Sequence, residues 1–360
     1  MATQEQNSTH LEILQGKLNR EWPAIYKARD SSEIRRRELA DAFADLKSGD
    51  STLVVFGSVA RQEVTGGSDL DWVLLIDGQS MAEHNGQEKR ISEILAEHRF
   101  IEPGRSGVFG KMVGSHDLIH NIGGEDDSNS NTTRRVLLLL ESTPVGNAEA
   151  WKRVRRQILR RYLEDDRGLL FAGGDVRLPR FLLNDLTRYW RTITVDFVYK
   201  QRADNDRKWA LRNAKLRMSR KMLYATGLLH CFNCHLDPGA EQARQSLRAE
   251  TPDSSALLVY LEGQLLMPPL EILAKACLAP GVKTDTACKI FDSYDRFLAI
   301  LDDTEKREEL TRASSHADLR ASTAWDEVRN VSAPFHEGLV NLFLNDDERL
   351  RALAMRYGIF

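Results

Sequence analysis

The chain has no uninterrupted apolar stretch near the ~20 residues that a bilayer-crossing helix needs, which excludes a membrane-spanning reading. It also lacks a basic start followed by an apolar core: Met1 to Asn7 is polar, so no secretion signal is read there. Four cysteines among 360 residues are too few for a disulfide framework, which agrees with a reducing compartment and a cytoplasmic location. A net charge of −3 gives no general argument for nucleic-acid or membrane-surface binding, although local basic clusters can still hold phosphates. Internal repeats and low-complexity segments are missing as well. At 360 residues, 42% of them hydrophobic, the chain is long enough for two or three domains with their own cores.

The most informative stretch is Leu53 to Ile76. An apolar run, Leu53-Val54-Val55-Phe56, stops at Gly57-Ser58, and a second one opens with Asp69-Leu70-Asp71 before Trp72-Val73-Leu74-Leu75-Ile76. In a strand, alternate side chains share a face, so Asp69 and Asp71 project together while Leu70 and Trp72 turn toward packing. Two carboxylates side by side suit Mg²⁺, which prefers oxygen ligands and commonly uses one or two carboxylates plus substrate phosphates. Gly57 lets the backbone approach an anion, and the amides opening a following helix carry partial positive charge toward it.

This arrangement resembles the nucleotidyltransferases of the DNA polymerase β superfamily, whose pattern is an apolar strand, Gly-Ser or Gly-Gly, about ten residues, then Asp-apolar-Asp entering another strand. Arg61 and Gly67-Ser68 also look like that family. The resemblance covers residues 53–76 closely. It implies an α+β fold: a small mixed β-sheet nucleotidyltransferase core with flanking helices, followed by an α-helical C-terminal domain. It further implies Asp69 and Asp71 as catalytic metal ligands, Gly57, Ser58 and Arg61 as phosphate holders, and a third carboxylate on a neighbouring strand.

Upstream, residues 8–48 read as two helices separated at Pro23, the first with Leu11, Leu14 and Leu18 at helical spacing. Downstream, Met81 to His98 reads as a polar helix with Ile91, Ile94 and Leu95 inward. Glu102 to Gly114 reads as a loop with one short strand at Val108-Phe109, and Ser115 to Ile122 as the third strand, ending at Gly123-Gly124. Asp117 is then the candidate for the third metal-binding carboxylate, with Glu125, Asp126 and Asp127 as competitors. Residues 127–142, including Thr132, Thr133, Arg134, Arg135 and Glu141, look like the post-catalytic helix of PII-protein uridylyltransferases.

The helix Trp151 to Arg161 carries six bases, which read either as a solvated face or as a phosphate contact. A domain boundary is placed at Gly168 to Pro179, after which the pattern is helical. The stripe Leu182, Leu186, Trp190, Ile193 and Phe197 marks one helix. In the next, about Arg207 to Leu229, Lys208, Arg212, Lys215 and Ser219 run beside the buried stripe Leu211, Ala214, Met218 and Met222. Lys208, Arg212 and Lys215 are therefore candidates to neutralise a nucleotide's triphosphate, with snorkelling at a core edge or pairing with Asp204 and Asp206 as the alternatives. Cys231 to His235 spells a haem-attachment pattern that requires export; with Cys277 and Cys288 these cysteines read as buried thiols, since their spacing is not that of a zinc knuckle. Pro268-Pro269 and Pro280-Gly281 separate further helices, and the apolar end Tyr357-Gly358-Ile359-Phe360 is expected to dock on the helical domain.

The sequence thus predicts N-terminal helices (1–50), a catalytic domain (51–167) and a helical substrate-binding domain (180–360). The expected activity is Mg²⁺-dependent transfer of an NMP from an NTP, with two metal ions and release of pyrophosphate. The acceptor stays open among a protein side chain, an RNA end, a small molecule and a nucleotide. Two other readings stand beside it: a catalytically silent nucleotide- or protein-binding module of the same fold, and an RNA- or DNA-binding protein acting through the basic helices.

Overall fold

The computed structural model describes residues 8–46, 49–101, 107–171, 176–203 and 208–358. The polar start Met1 to Asn7, Gly173-Gly174 at the expected boundary, Asp204, Asp206 and the terminal Ile359-Phe360 lie outside the described residues. The chain opens with α1 (His10–Leu18) and α2 (Pro23–Ala42). A capping box starts α1: Thr9 Oγ1 accepts from the Glu12 amide and Glu12 answers at the Thr9 amide. Asn19, at φ 49°, ends it in the left-handed region. Pro23 then occupies the first position of α2, where a missing N–H costs nothing.

There follow β1 (Ser51–Phe56), α3 (Ser58–Arg61), β2 (Trp72–Ile76), α4 (Ala82–Glu97), β3 (Lys111–Gly114), α5 (Ser115–His120), α6 (Asn129–Leu140), β4 (Ser142–Val145), α7 (Glu149–Glu164), α8 (Arg167–Phe171) and α9 (Arg180–Ala203). The strands form one mixed sheet in the order β3-β2-β1-β4. β1 runs antiparallel to both β2 and β4, and β2 runs parallel to β3. β1 and β2 are buried throughout, as uninterrupted apolar strands are when both faces are covered. Leu53, Val55, Trp72 and Leu74 pack with Leu39 of α2, Phe43 just after it, and Ile91, Ile94 and Leu95 of α4. α7 packs on β1 and β2.

Two strand assignments read from the sequence move. The third strand is Lys111–Gly114, neither Val108-Phe109 nor Ser115 to Ile122. The latter opens with α5, whose first turn carries Asp117, a placement that suits the helix dipole, and which buries Leu118 and Ile119.

The rest is helical: α10 (Trp209–Lys215), a π-helical turn Leu216–Arg220, α11 (Lys221–Leu236), α12 (Glu241–Leu247), α13 (Ser255–Gln264), α14 (Pro269–Cys277), α15 (Thr284–Asp302), α16 (Thr304–Arg312), α17 (His316–Ala321), α18 (Thr323–Asn341) and α19 (Glu348–Leu353). The helix expected over Arg207 to Leu229 therefore contains a π turn and continues to Leu236. Among the described residues no single helix is long and apolar enough to cross a bilayer.

The architecture is α+β, a small mixed sheet with flanking helices followed by helices alone. Contacts gather the chain into two compact units, Lys27–Asn205 with His230–Leu266, and Met1–Tyr26 with Asp206–Leu229 and Met267–Phe360. These units interleave along the chain, unlike the linear division read from the sequence, because α2 and α11 each run from one into the other. In the unit without the sheet, α15 and α18 cross closely at Gly338, where a Cβ would fall 2.7 Å from Ile290 Cγ1. Phe335, Tyr294 and Phe297 fill the contact around it.

Candidate active site

Pairing of β1 with β2 continues past the strand end, the Phe56 amide donating to Asp71 O at 2.9 Å. Asp69 and Asp71 thus lie in the segment leading into β2, one step before the strand itself. Leu70 between them is buried, its amide held by Ile101 O at 2.9 Å, and Trp72 is buried, whereas both aspartates are half-exposed. The alternation expected from the sequence is present.

Gly57 leaves β1 at φ 69° and ψ −138°, a conformation that side chains resist. A Cβ there would lie 3.4 Å from Asp71 Oδ2, so the bare backbone forms one wall of the space beside that carboxylate. Ser58 begins a helix of only four residues and is half-buried.

The loop from α3 to the aspartates is tied at several points. Glu63 N donates to Ser58 O at 2.8 Å, Val64 N to Ser32 Oγ at 3.0 Å and Thr65 N to Ser68 Oγ at 3.0 Å. Arg61 is the centre of this framework. It is buried, donates from Nε to Glu63 at 2.8 Å, and pairs with buried Glu141, which immediately precedes β4. The expectation that Arg61 holds phosphate gives way to a structural role, because two carboxylates already occupy the guanidinium.

The strand beside β2 carries no carboxylate: β3 is Lys111-Met112-Val113-Gly114, with Lys111 opposite Val73. Asp117 stands on α5 with its side chain 72% exposed, 3.7 Å from His116 and accepting from Asn121 at 3.2 Å. It is therefore not the third acid on the sheet that the resemblance implied. Of its competitors, Glu125 and Asp126 are exposed and Asp127 is buried. Asp127 joins Arg135, Asp185, Tyr162 and Arg188 in a buried network, Arg135 lying 2.9 Å from Asp127 and 2.6 Å from Asp185. Burial alone would raise the Asp127 carboxyl, but Arg135, the Gly123 amide and Arg188 hold it far below the usual carboxylate range.

The bases of α7 are likewise spoken for. Arg153 pairs with Asp77, Arg156 with Glu262, Arg161 with Asp165, Arg160 with Glu164 and Lys152 with Glu149. Arg155 is buried, bonding the carbonyls of Leu139 and Leu265. Lys208, Arg212 and Lys215 belong to the unit without the sheet, and Lys208 is exposed at the start of α10. Cys231, Cys234 and Cys277 are buried free thiols, as the sequence predicts, whereas Cys288 is a half-buried one; burial pushes Cys277 up to about 12.

One acid–imidazole group was not legible from the sequence: Asp50, Glu83 and His84 place potential ligand atoms within 4.8 Å of one another. It lies at the start of β1, the end opposite Gly57. His84 Nδ1 accepts from the Met81 amide at 3.0 Å, and a backbone N–H can only donate, so the ring proton is on Nε2, 3.2 Å from Asp50. A metal would need the lone pair that this tautomer lacks. The group caps α4 and binds the end of β1.

Beside Asp69 and Asp71 the donor set fits a hard cation in its chemistry, with two half-exposed carboxylates flanking a buried leucine and the bare Gly57 backbone beside Asp71. No curated protein matches the chain. The likeness of residues 127–142 to PII-protein uridylyltransferases has no counterpart in the family match, which ends before them. Residues 36–102, which contain β1, Gly57-Ser58, Asp69, Asp71 and β2, match the family described as "Nucleotidyltransferase domain", and the chain thus carries a nucleotidyltransferase domain consistent with the polymerase β type.

Proposed function

We propose that this protein moves an NMP from an NTP to an acceptor, releasing pyrophosphate, with Asp69 and Asp71 as the Mg²⁺ ligands. The observation that carries this reading is the pair of half-exposed carboxylates flanking buried Leu70, with the Gly57 backbone standing against Asp71. Mg²⁺ bound by Asp69 and Asp71 would supply charge neutralisation for the phosphates. The Gly57-Ser58 backbone admits the phosphates closely, since no side chain stands in the way at Gly57. The buried pairs of Arg61 keep the loop rigid behind the aspartates, so that both carboxylates are positioned before substrate arrives. Lys208, Arg212 and Lys215 are retained as candidates for neutralising the triphosphate.

The test is incubation with each of the four α-labelled NTPs and Mg²⁺ against protein, RNA, small-molecule and nucleotide acceptors. Label on an acceptor together with pyrophosphate release supports the reading, and neither with any NTP contradicts it. A silent nucleotide-binding module is the second reading, favoured by the lack of a carboxylate on β3. It predicts NTP binding without turnover.

A further inference from the structure

The π turn sorts the bases that follow residue 207. Arg217 lies in that turn, Lys221 opens α11 and His336 sits on α18, all in one compact unit. Lys221 Nζ is 3.5 Å from His336 Nδ1. Arg217 donates from Nε to Asn213 Oδ1 at 2.6 Å, and its guanidinium carbon lies 5.6 Å from the centre of the Trp325 ring. Its fork is thereby held in place by a polar and an aromatic neighbour.

Among the described residues no carboxylate lies within ion-pair distance of Arg217, Lys221 or His336. The contrast is close by: Lys289 is paired with both Asp285 and Glu337. Arg217 and Lys221 are like charges four residues apart, and Lys221 is half-buried. Burial and Arg217 lower the Lys221 amine, while burial and Lys221 lower the His336 imidazole. Like charges at this spacing oppose helix stability, and among the described residues no acid offsets them.

We propose that Arg217, Lys221 and His336 form a binding site for a phosphoryl group. A planar guanidinium fork, a compact ammonium and an imidazole N–H from two helices provide donors for the several oxygens of a tetrahedral anion. The anion supplies the missing negative charge, and the partial burial of Lys221 strengthens its contact. π turns of this kind are frequent at functional sites. The phosphoryl group belongs either to the NTP or to a separate phosphorylated molecule. The inference does not depend on nucleotidyl transfer, because binding is read without metal and without turnover.

The test is calorimetric titration of the full chain with inorganic pyrophosphate in the absence of divalent metal, at low and raised ionic strength. The wild type binds, more weakly as salt rises, and Arg217→Gln and Lys221→Gln each weaken binding about tenfold or more. Lys89→Gln, at an exposed base of α4, binds pyrophosphate as the wild type does, which separates this site from a general loss of positive charge. With NTP and Mg²⁺, a parallel loss in Lys221→Gln assigns the group to the NTP, whereas unchanged NTP affinity assigns it to a separate phosphorylated molecule. Should the variants unfold, the His336 imidazole NMR signal of the wild type must shift on addition of pyrophosphate. A still signal, absence of binding by the wild type, or affinities within about twofold in both folded variants overturns the site.

Discussion

Gly57 and Asp71 approach so closely that a Cβ on the glycine would stand 3.4 Å from the carboxylate Oδ2. The contact joins the end of β1 to the entry of β2, and a positive φ of 69° makes glycine the residue that can take this path. Backbone conformation and access to Asp71 therefore depend on the same residue.

Gly57→Val is expected to lower stability by about 1–3 kcal/mol through backbone strain and to weaken NTP binding beyond what the folded fraction explains. Ser58→Ala, which removes a hydroxyl and no backbone freedom, should weaken it less. Chemical denaturation and NTP titration separate the two effects, and equal NTP affinity in wild type and Gly57→Val would remove the backbone wall from the account.

Arg61→Met should destabilise by about 3–5 kcal/mol, because buried Glu63 and Glu141 lose the cation they share. Adding Glu141→Gln should recover part of that loss, as contacting residues are not additive. NTP affinity per folded molecule should stay within about threefold, and a collapse of affinity with stability intact would return Arg61 to the phosphates.

Asp127 links the fold to pH. Its carboxyl is depressed in the folded state, so its stabilisation is complete above the unfolded value and is lost as pH falls through the folded one. Between about pH 4 and pH 2 this group adds a slope of about 1.4 kcal/mol per pH unit. Asp127→Asn should be less stable at neutral pH and show a shallower decline on acidification. An unchanged acid slope would mean that the Arg135 network does not hold this carboxylate ionised.

The part of the fold around β1, Gly57 and the entry to β2 was legible because its signals are local. Two apolar runs, a glycine and alternating aspartates lie within 24 residues, in or directly beside the strands β1 and β2. Arg61 and Glu141, 80 positions apart, meet only through the pairing of β4 with β1, so the arginine looked available for phosphate. Arg135 likewise finds Asp185 50 positions away. α5 was misread because Asp117-Leu118-Ile119-His120 mixes polar and apolar residues without a full period, and the burial of adjacent Leu118 and Ile119 is a tertiary outcome. The π turn at Leu216–Arg220 left no mark in composition, and neither Arg217 nor Lys221 belongs to the stripe read at 3.6 residues per turn.

The most direct test of the central claim is Mg²⁺-dependent transfer from α-labelled NTP by wild type, Asp69→Asn and Asp71→Asn, each checked for folding by circular dichroism. Both aspartates are half-exposed and flank, rather than fill, the core, so both variants should fold. Each is predicted to lose transfer by at least about a hundredfold. Folded protein with near-normal turnover in either variant would contradict the assignment of the Asp69–Asp71 pair as the metal-binding centre.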